Sequence, residues 1–166
     1  MAWGGFAIAL LLAYLLQTGV VALLGVRFFD AFLVLALLCG LLAPTHDGRV
    51  AAWIVGLAQD LGGADALGIH AFTLGLSGLL LTRLREVGNV SIWWVRGLAA
   101  FLAAWPGQVI YLLHLHYWAG PGSVSFWNLV GTATLTSLLA AVLAMLINAL
   151  PWVMRRRRRR YRALRL

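Results

Sequence analysis

The fold is decided by the stretch from Arg49 to Arg85, which reads RVAAWIVGLAQDLGGADALGIHAFTLGLSGLLLTRLR. Both arms of this stretch are apolar, but its centre is polar and rich in glycine. A carboxylate at the centre of a membrane helix costs about 2.5 kcal/mol or more, and non-helical backbone at that depth needs protein or water around it. We therefore expect the centre to face protein or a cavity, unless residues 59–66 form an extramembrane loop with solvated acids.

The composition of the whole chain predicts an integral membrane protein. Of its 166 residues, 63% are hydrophobic and 11% are charged, and the mean hydropathy is +0.91. This apolar fraction exceeds what a soluble fold keeps away from water. The length allows one domain of about five to seven spans of roughly 20 residues each. Because Cys39 is the only cysteine, an internal disulfide and a cysteine-based zinc cluster are excluded.

The apolar segments predict an all-α protein with about six transmembrane helices. The expected spans are Trp3 to Leu24, Phe28 to Ala43, Val50 to Leu61, Leu67 to Leu81, Trp93 to Trp118, and Phe126 to about Trp152. The first has no basic residues before it and no persuasive cleavage site, so it is expected to be a retained helix.

The third predicted span, Val50 to Leu61, is short, since its residues would cover only ~18 Å as a helix. It is expected to be either a broken or tilted span completed by the glycine loop, or a re-entrant segment. A polar turn over residues 44–49 should precede it, with Thr45 or Asp47 as the helix cap. At the other end of the chain, Pro151 is expected to close the last span.

A basic run at the C-terminus predicts the orientation of the chain. The residues expected at the membrane surface are Arg155, Arg156, Arg157, Arg158, Arg159 and Arg160. Such a run is attracted to the anionic lipid of the cytoplasmic leaflet by about 1 kcal/mol per residue. The chain thus divides into a transmembrane domain, residues 1–154, and a basic cytoplasmic tail, residues 155–166. The tail also explains the pI of about 11.3. Nucleic-acid binding is not predicted, because the sequence shows no folded basic face with aromatic side chains that could contact bases.

Counting back from that tail over six spans gives the topology. Both termini fall in the cytoplasm, as do Arg49, Arg83, Arg85 and Arg96, and only Arg27 lies outside. The centre of the deciding stretch then lies toward the outer face. If the third segment were re-entrant, the segments before it would have the opposite orientation in the membrane.

The candidate residues of a cavity or partner site lie in that centre. They are Gln59, Asp60, Gly62, Gly63, Gly68 and His70, with Trp53 and Phe72 as candidate lining. Glycines allow close approach of backbone, and a buried acid orients one specific hydrogen bond. The alternative is that Asp60 only caps or ties the broken helix.

Catalytic chemistry finds little support in the residues. Asp60 and Asp65 could in principle form a carboxylate pair, but the sequence has no catalytic triad, no HExxH, no phosphate loop and no dinucleotide-binding glycines. His114 and His116 are two residues apart and would point to different helix faces. No catalytic residue, metal or cofactor is predicted.

Residues 43–85 resemble the MreD family of bacterial rod shape-determining membrane proteins. The pattern G-x-x-x-D-L, a small-residue loop and L-G is matched by Gly56, Asp60, Leu61, Leu67 and Gly68. Length, span order and the basic tail extend the likeness over the chain. The turn into the second span, from Arg27 to Asp30, departs from the family's pattern and leaves any role for that turn open.

The resemblance implies a non-enzymatic component of the cell-elongation complex in the bacterial cytoplasmic membrane. Proteins of this family bind MreC and, directly or through it, RodA and a class B penicillin-binding transpeptidase, with the actin-like MreB filament beyond them. The family is also similar in fold to the substrate-binding S components of energy-coupling-factor vitamin transporters. Such a component is the alternative, and Ala9 and Ala13 would then face a coupling subunit.

Overall fold

All secondary structure in the described part of the chain is helical. The computed structural model describes residues 3–21, 29–63, 67–87, 93–118 and 126–163. The six α-helices are α1 (Trp3–Leu15), α2 (Ala31–Leu42), α3 (Thr45–Gly62), α4 (Ile69–Val87), α5 (Trp93–Trp118) and α6 (Phe126–Ala163), and a π-helical segment, Leu16–Val21, continues α1. The predicted all-α class is confirmed.

The shortest helix, α2, lies at the centre of the bundle and contacts each of the other five. Nine of its 12 residues are buried. Its sequence AFLVLALLCGLL is apolar on every side, as expected for a helix without a solvated face. Asp30 starts it as the N-cap, and Pro44 follows its end, where a proline cannot continue the helix.

Successive helices run antiparallel, which gives the bundle two distinct ends. Gly56 in α3 approaches Ala71 in α4, whereas Gly48, earlier in α3, approaches Thr82. The same reversal relates α4 to α5 and α5 to α6, through the contacts of Gly107 with Ser77, Tyr111 with His70, Trp105 with Thr134, and Gly97 with Met145. One end, here called the acidic end, contains Asp30 and Asp60. The other, the arginine end, contains Arg49, Arg83, Arg85 and Arg96.

In α5 and α6, small side chains face the interior of the bundle and large apolar ones lie on its outside. In α5 and α6 the buried alanines are Ala99, Ala100, Ala103, Ala104, Ala133, Ala140, Ala141 and Ala144. The exposed leucines of the same helices include Leu98, Leu102, Leu135, Leu138, Leu139 and Leu146. This arrangement is typical of helices packed in lipid, where small residues allow close contact and burial of leucine from water is not the driving force.

Two helical segments in the described ranges are long and apolar enough to cross a bilayer, namely Trp94–Trp118 and Val130–Ile147. The segments Trp3–Gly19 and Ala31–Leu42 are apolar but shorter. Helices α3 and α4 have 18 and 19 residues, so each is about 27 to 29 Å long, but both carry charged side chains.

The third helix is longer than predicted, and it is not broken within Val50 to Leu61. Helix α3 begins at Thr45 rather than Val50 and runs without interruption to Gly62, and Pro44 takes the N-cap position without a side-chain hydrogen bond. The polar turn expected over residues 44–49 is therefore the first part of the helix. Polar residues misled the prediction, although an acid such as Asp47 is favourable in a first turn because it complements the helix dipole.

Other boundaries agree in part with the prediction. Helix α5 has the predicted limits, Trp93–Trp118, and α6 starts at the predicted Phe126. Helix α4 extends past Leu81 to Val87, and α6 continues through Pro151 to Ala163. Pro151 lies within α6 and does not close it. A proline lacks the backbone N–H and so removes one helix hydrogen bond, a loss that membrane helices tolerate. The last residues predicted for the first span, 22–24, lie outside the described residues.

Candidate functional site

The carboxylate of Asp60 joins the last turn of α3 to the first turn of α4. Its Oδ1 accepts from the His70 N–H at 3.0 Å, and its Oδ2 accepts from the N–H groups of Gly68 at 3.0 Å and Ala71 at 2.9 Å. Asp60 is only 2% exposed. A helix leaves its first N–H groups without intrahelical partners, so Asp60 caps α4 from the preceding helix.

The free energies of the helix dipole and of the hydrogen bonds explain why a carboxylate is tolerated at position 60. In the last turn of α3 a negative charge opposes the helix dipole, which costs about 0.3–1 kcal/mol. Each hydrogen bond to a charged group contributes roughly 1.5–3 kcal/mol, and leaving such a buried group unpaired costs at least as much. Three bonds to the positive end of α4 therefore outweigh the unfavourable position in α3.

Glycines make this junction sterically possible. A Cβ at Gly56 would lie 2.3 Å from the His70 carbonyl oxygen and 2.6 Å from the Ala71 Cα, so the two helix backbones touch there. Gly68 has a φ of +97°, a left-handed conformation that favours glycine, and its own N–H donates to Asp60. The G-x-x-x-D pattern of Gly56 and Asp60 thus places the close contact and the capping acid one turn apart on α3.

A second polar group surrounds the start of α2, directly beside the junction. Asp30 Oδ1 accepts from the N–H groups of Phe32 at 2.9 Å and Leu33 at 3.1 Å. Gln17, in the π-helical segment, accepts from the Ala31 N–H at 2.9 Å. Gln59 Nε2 donates to Asp30 Oδ2 at 3.5 Å. Side chains from three elements thus converge on the N-terminus of α2.

The imidazole of His70 connects these groups to α5. His70 is buried, and its ring lies 4.6 Å from the ring of Tyr111 between centroids. On α3, the Oε1 of Gln59 is a buried polar atom with no hydrogen-bond partner among the described residues, and the same holds for His116 Nδ1 near the end of α5. Most of the other polar groups described at the acidic end are paired with one another.

The predicted site residues are only partly brought together. Gln59, Asp60, Gly68 and His70 share the cluster at the acidic end. Gly62 instead meets the ring of Tyr14, since a Cβ there would lie 2.6 Å from Tyr14 Cε2. Gly63 ends α3 in an extended conformation and is exposed. Asp65 lies outside the described residues.

Two lateral grooves run along the bundle beside this cluster. One, of about 530 Å³ between α3 and α4, is lined by Arg49, Trp53, Leu57, Gly68, Ala71, Phe72, Gly75, Leu76 and Leu79. The other, of about 480 Å³, is lined by Ala7, Leu10, Leu11, Tyr14, Phe32, Ala58, Leu61 and Gly62. Trp53 and Phe72 therefore line one groove together, but Gln59 and Asp60, which were expected to shape the same cavity, line neither of these two.

The arginine end caps the other terminus of α2. Arg85 Nη1 donates to the carbonyl oxygens of Gly40 and, at 3.0 Å, Ala43. Arg49 donates to Thr82 Oγ1 at 2.8 Å and pairs with Glu86 at 3.0 Å. A guanidinium at the C-terminus of a helix complements its dipole, just as Asp30 does at the N-terminus.

The histidines and the tail complete the predicted residues. Among the residues that the structure describes, no group of three or more His, Cys, Asp or Glu side chains is placed to hold a metal ion. His114 stacks on Trp118, and His116 lies against Tyr117. Arg155 to Arg160 belong to the C-terminal part of α6, whose side chains fall outside the described part.

Several residues at the two ends were not predicted as part of a site. Gln17, Asp30, Tyr111 and Arg85 all hold helix termini or pack on those that do. Asp30 carried a usable signal, since an acid directly before an apolar run is a typical N-cap. The other three act on residues 14 to 45 positions away or on another helix, and no local pattern marks them.

No known protein family, curated protein or solved structure matches this chain.

Proposed function

We propose that this chain is an MreD-type, non-enzymatic membrane component of the bacterial cell-elongation complex. In this role it binds MreC and helps to couple peptidoglycan synthesis to the cytoskeleton. The observation that carries the proposal is the junction of α3 and α4. Gly56, Asp60 and Gly68, three of the residues on which the resemblance rests, each have a distinct structural task in that junction.

The proposed setting is the cytoplasmic membrane, with six spans and both termini inside. Two helices with the length and composition of spans, and exposed leucines around buried alanines, support this setting. The antiparallel order also supports it, because Arg49, Arg83, Arg85 and Arg96 fall at one end of the bundle. Helix α6 runs toward that same end, so its basic C-terminal part continues there. Arginines gathered at one end are what the positive-inside rule requires.

A scaffold role agrees with how the acids are used. Both oxygens of Asp60 accept hydrogen bonds from backbone N–H groups, and Asp30 Oδ1 caps α2. A general acid or base needs a carboxyl group that can reach a reacting proton. The described carboxylates of Asp60 and Asp30 instead bind helix ends and stabilise the bundle. A rigid bundle suits a protein whose role is to present surfaces to MreC, RodA and a penicillin-binding transpeptidase.

A vitamin-transporter S component is the second candidate, favoured by one observation. The buried Oε1 of Gln59 has no partner among the described residues and could accept a hydrogen bond from a small molecule at the acidic end. On α1, Ala13 is buried and Ala9 half-buried, so neither forms an open face for a coupling subunit. This second point makes the transporter role the weaker of the two.

Affinity purification in mild detergent distinguishes the two functions. The tagged full-length protein is recovered from its own cells, and bound proteins are identified by mass spectrometry beside a tagged, unrelated multi-span protein as control. Recovery of MreC, RodA or a class B penicillin-binding transpeptidase above that control is the expected result. Recovery of paired ATPases and a coupling subunit would instead overturn the elongation role and establish the transporter role.

A further inference from the structure

We propose that the groove between α3 and α4 binds one anionic phospholipid. An acyl chain lies between Trp53 and Phe72, and the phosphate lies at Arg49 and Arg83. The inference rests on the membrane setting proposed above, but it is independent of the role in cell elongation. If MreC were not recovered in the affinity purification, the lipid-binding proposal would be unaffected. If the groove did not bind lipid, the proposed role in cell elongation would be unaffected.

The groove is a slot between two regularly spaced rows of side chains. On α3 the row is Arg49, Trp53 and Leu57, spaced four residues apart, and on α4 it is Phe72, Leu76 and Leu79. Residues at spacings of three and four share one helix face, so each row is continuous along its helix. The small residues Ala71 and Gly75 lie between the rows and leave the space of about 530 Å³. A slot of this shape suits an extended, flexible chain.

The chemistry of the lining selects an apolar ligand. Apart from Arg49, the groove is lined by apolar side chains and glycines, and its flanking aromatic residues are half exposed, Trp53 at 50% and Phe72 at 58%. Sites for polar molecules contain several convergent donors or acceptors. This groove offers its one charged group at one end only, which matches a molecule with an apolar tail and an ionic head.

The charge at that end is positive. Arg49 and Arg83 pair with the same carboxylate, Glu86, at 3.0 Å and 3.3 Å, and the Arg83 side chain remains 65% exposed. Arg83 follows Leu79 by four residues, so it extends the α4 row beyond the groove.

The described part of the arginine end carries the guanidinium groups of Arg49, Arg83, Arg85 and Arg96 against the carboxylates of Asp47 and Glu86. Guanidinium groups bind phosphate oxygens through paired N–H donors. Basic pockets between membrane helices on the cytoplasmic side are typical sites for anionic headgroups, and the proposed orientation places this end on that side. The groove and the charge cluster thus match the two parts of one phospholipid.

Native mass spectrometry of the full-length protein in detergent tests the site. Dioleoyl phosphatidylglycerol and dioleoyl phosphatidylcholine, which share their acyl chains, are titrated separately. We expect phosphatidylglycerol to bind first and more tightly. Arg83→Gln should weaken phosphatidylglycerol binding about fivefold, the equivalent of ~1 kcal/mol for one arginine at an anionic headgroup, and should leave phosphatidylcholine binding unchanged.

Filling the groove tests its apolar part. A Cβ at Gly75 would already lie 3.2 Å from Trp53 Cδ1, so Gly75→Leu should occupy the slot and weaken binding of both lipids at least tenfold. Gly131→Leu is the matched control, because Gly131 is exposed on α6 and a Cβ there would meet no atom within 4 Å, so this variant should bind both lipids like the wild type. Leu79→Trp fills the same groove from its edge and replaces Gly75→Leu if that variant does not fold.

Two results would overturn the proposal. The first is a phosphatidylglycerol preference that disappears when Arg155 to Arg160 are changed to glutamine but survives Arg83→Gln, since the tail would then be the binding site. The second is a photo-crosslinking side chain in place of Phe72 that captures a polypeptide in cells rather than a lipid. The groove would then be a protein interface.

Discussion

Ala71 donates its backbone N–H to Asp60 Oδ2 at 2.9 Å, so a side chain from the end of α3 stabilises the start of α4. Because His70 and Gly68 donate to the same carboxylate, the two helices are held in one register. The acid that stands out in the apolar sequence is thus a helix cap. Of the two roles considered for Asp60, direct partner contact or a tie between helices, the hydrogen bonds support the tie.

Removing this cap should destabilise the bundle. Asp60→Ala leaves the buried N–H groups of His70 and Ala71, and the more exposed N–H of Gly68, without their acceptor, and we expect the free energy of unfolding to fall by about 3 kcal/mol. Thermal unfolding of the purified protein in detergent measures the change. Asp65→Ala is the comparison, with a smaller effect expected on stability and, in a depletion strain, on rod shape. Equal losses for the two variants would contradict the role given to Asp60.

The C-terminal cap of α2 should respond to loss of Arg85. Its guanidinium holds the carbonyl oxygens of Gly40 and Ala43, so Arg85→Ala should cost about 1–2 kcal/mol of unfolding free energy. Arg83→Ala, on the same helix but largely exposed, should cost less than about 0.5 kcal/mol. Urea or thermal titration of both variants provides the measurement. The cap would be unimportant if Arg83→Ala proved as damaging as Arg85→Ala.

The close approach of α3 and α4 should tolerate no side chain at Gly56. In Gly56→Ala the new Cβ would lie 2.3 Å from the His70 carbonyl oxygen, so the backbones must separate, at an expected cost of about 1–3 kcal/mol, the usual range for overpacking. Gly131→Ala, which meets open space, should instead leave stability unchanged or raise it slightly. Melting temperatures that rise in both variants would show that α3 and α4 do not pack this closely.

The arginine tail should orient the chain rather than shape the acidic end. In the proposed topology, changing Arg155 to Arg160 to glutamine removes an attraction to the cytoplasmic leaflet of about 1 kcal/mol per residue. We expect a C-terminal reporter fusion to lose part of its cytoplasmic signal, while the unfolding temperature changes little. A fusion that still reads fully cytoplasmic would mean that Arg49, Arg83, Arg85 and Arg96 suffice to set the orientation.

Apolar length and turn residues predicted much of the fold. The run between Trp93 and Trp118 was bounded by paired aromatics and folds as one helix with those limits. The prediction failed at residues 45–49, where polar side chains resembled a turn but form the first turn of α3. Local polarity does not separate a turn from a helix start, because acids and small polar residues are favourable in both.

Contacts at the acidic end could be anticipated only where neighbours in sequence are neighbours in space. Asp60 and Gly68 are eight residues apart, and their joint position could be anticipated from the glycine-rich centre of the stretch. Arg85 and Gly40 are separated by 45 residues, and their contact depends on the parallel arrangement of α2 and α4. Such a pairing follows only from the three-dimensional arrangement of all the helices.

The two caps of α2 also impose an order on biosynthesis. Asp30 precedes its helix and can cap it as soon as α2 forms, whereas the partner of the Ala43 carbonyl lies 42 residues further along the chain. At about 5–20 residues per second, a ribosome makes Arg85 roughly 2–8 s after Ala43. During that interval the C-terminus of the central helix must find other partners, such as water. The central helix is therefore among the first parts of the chain to be made, but its C-terminal cap is available only when about half of the chain has been synthesised.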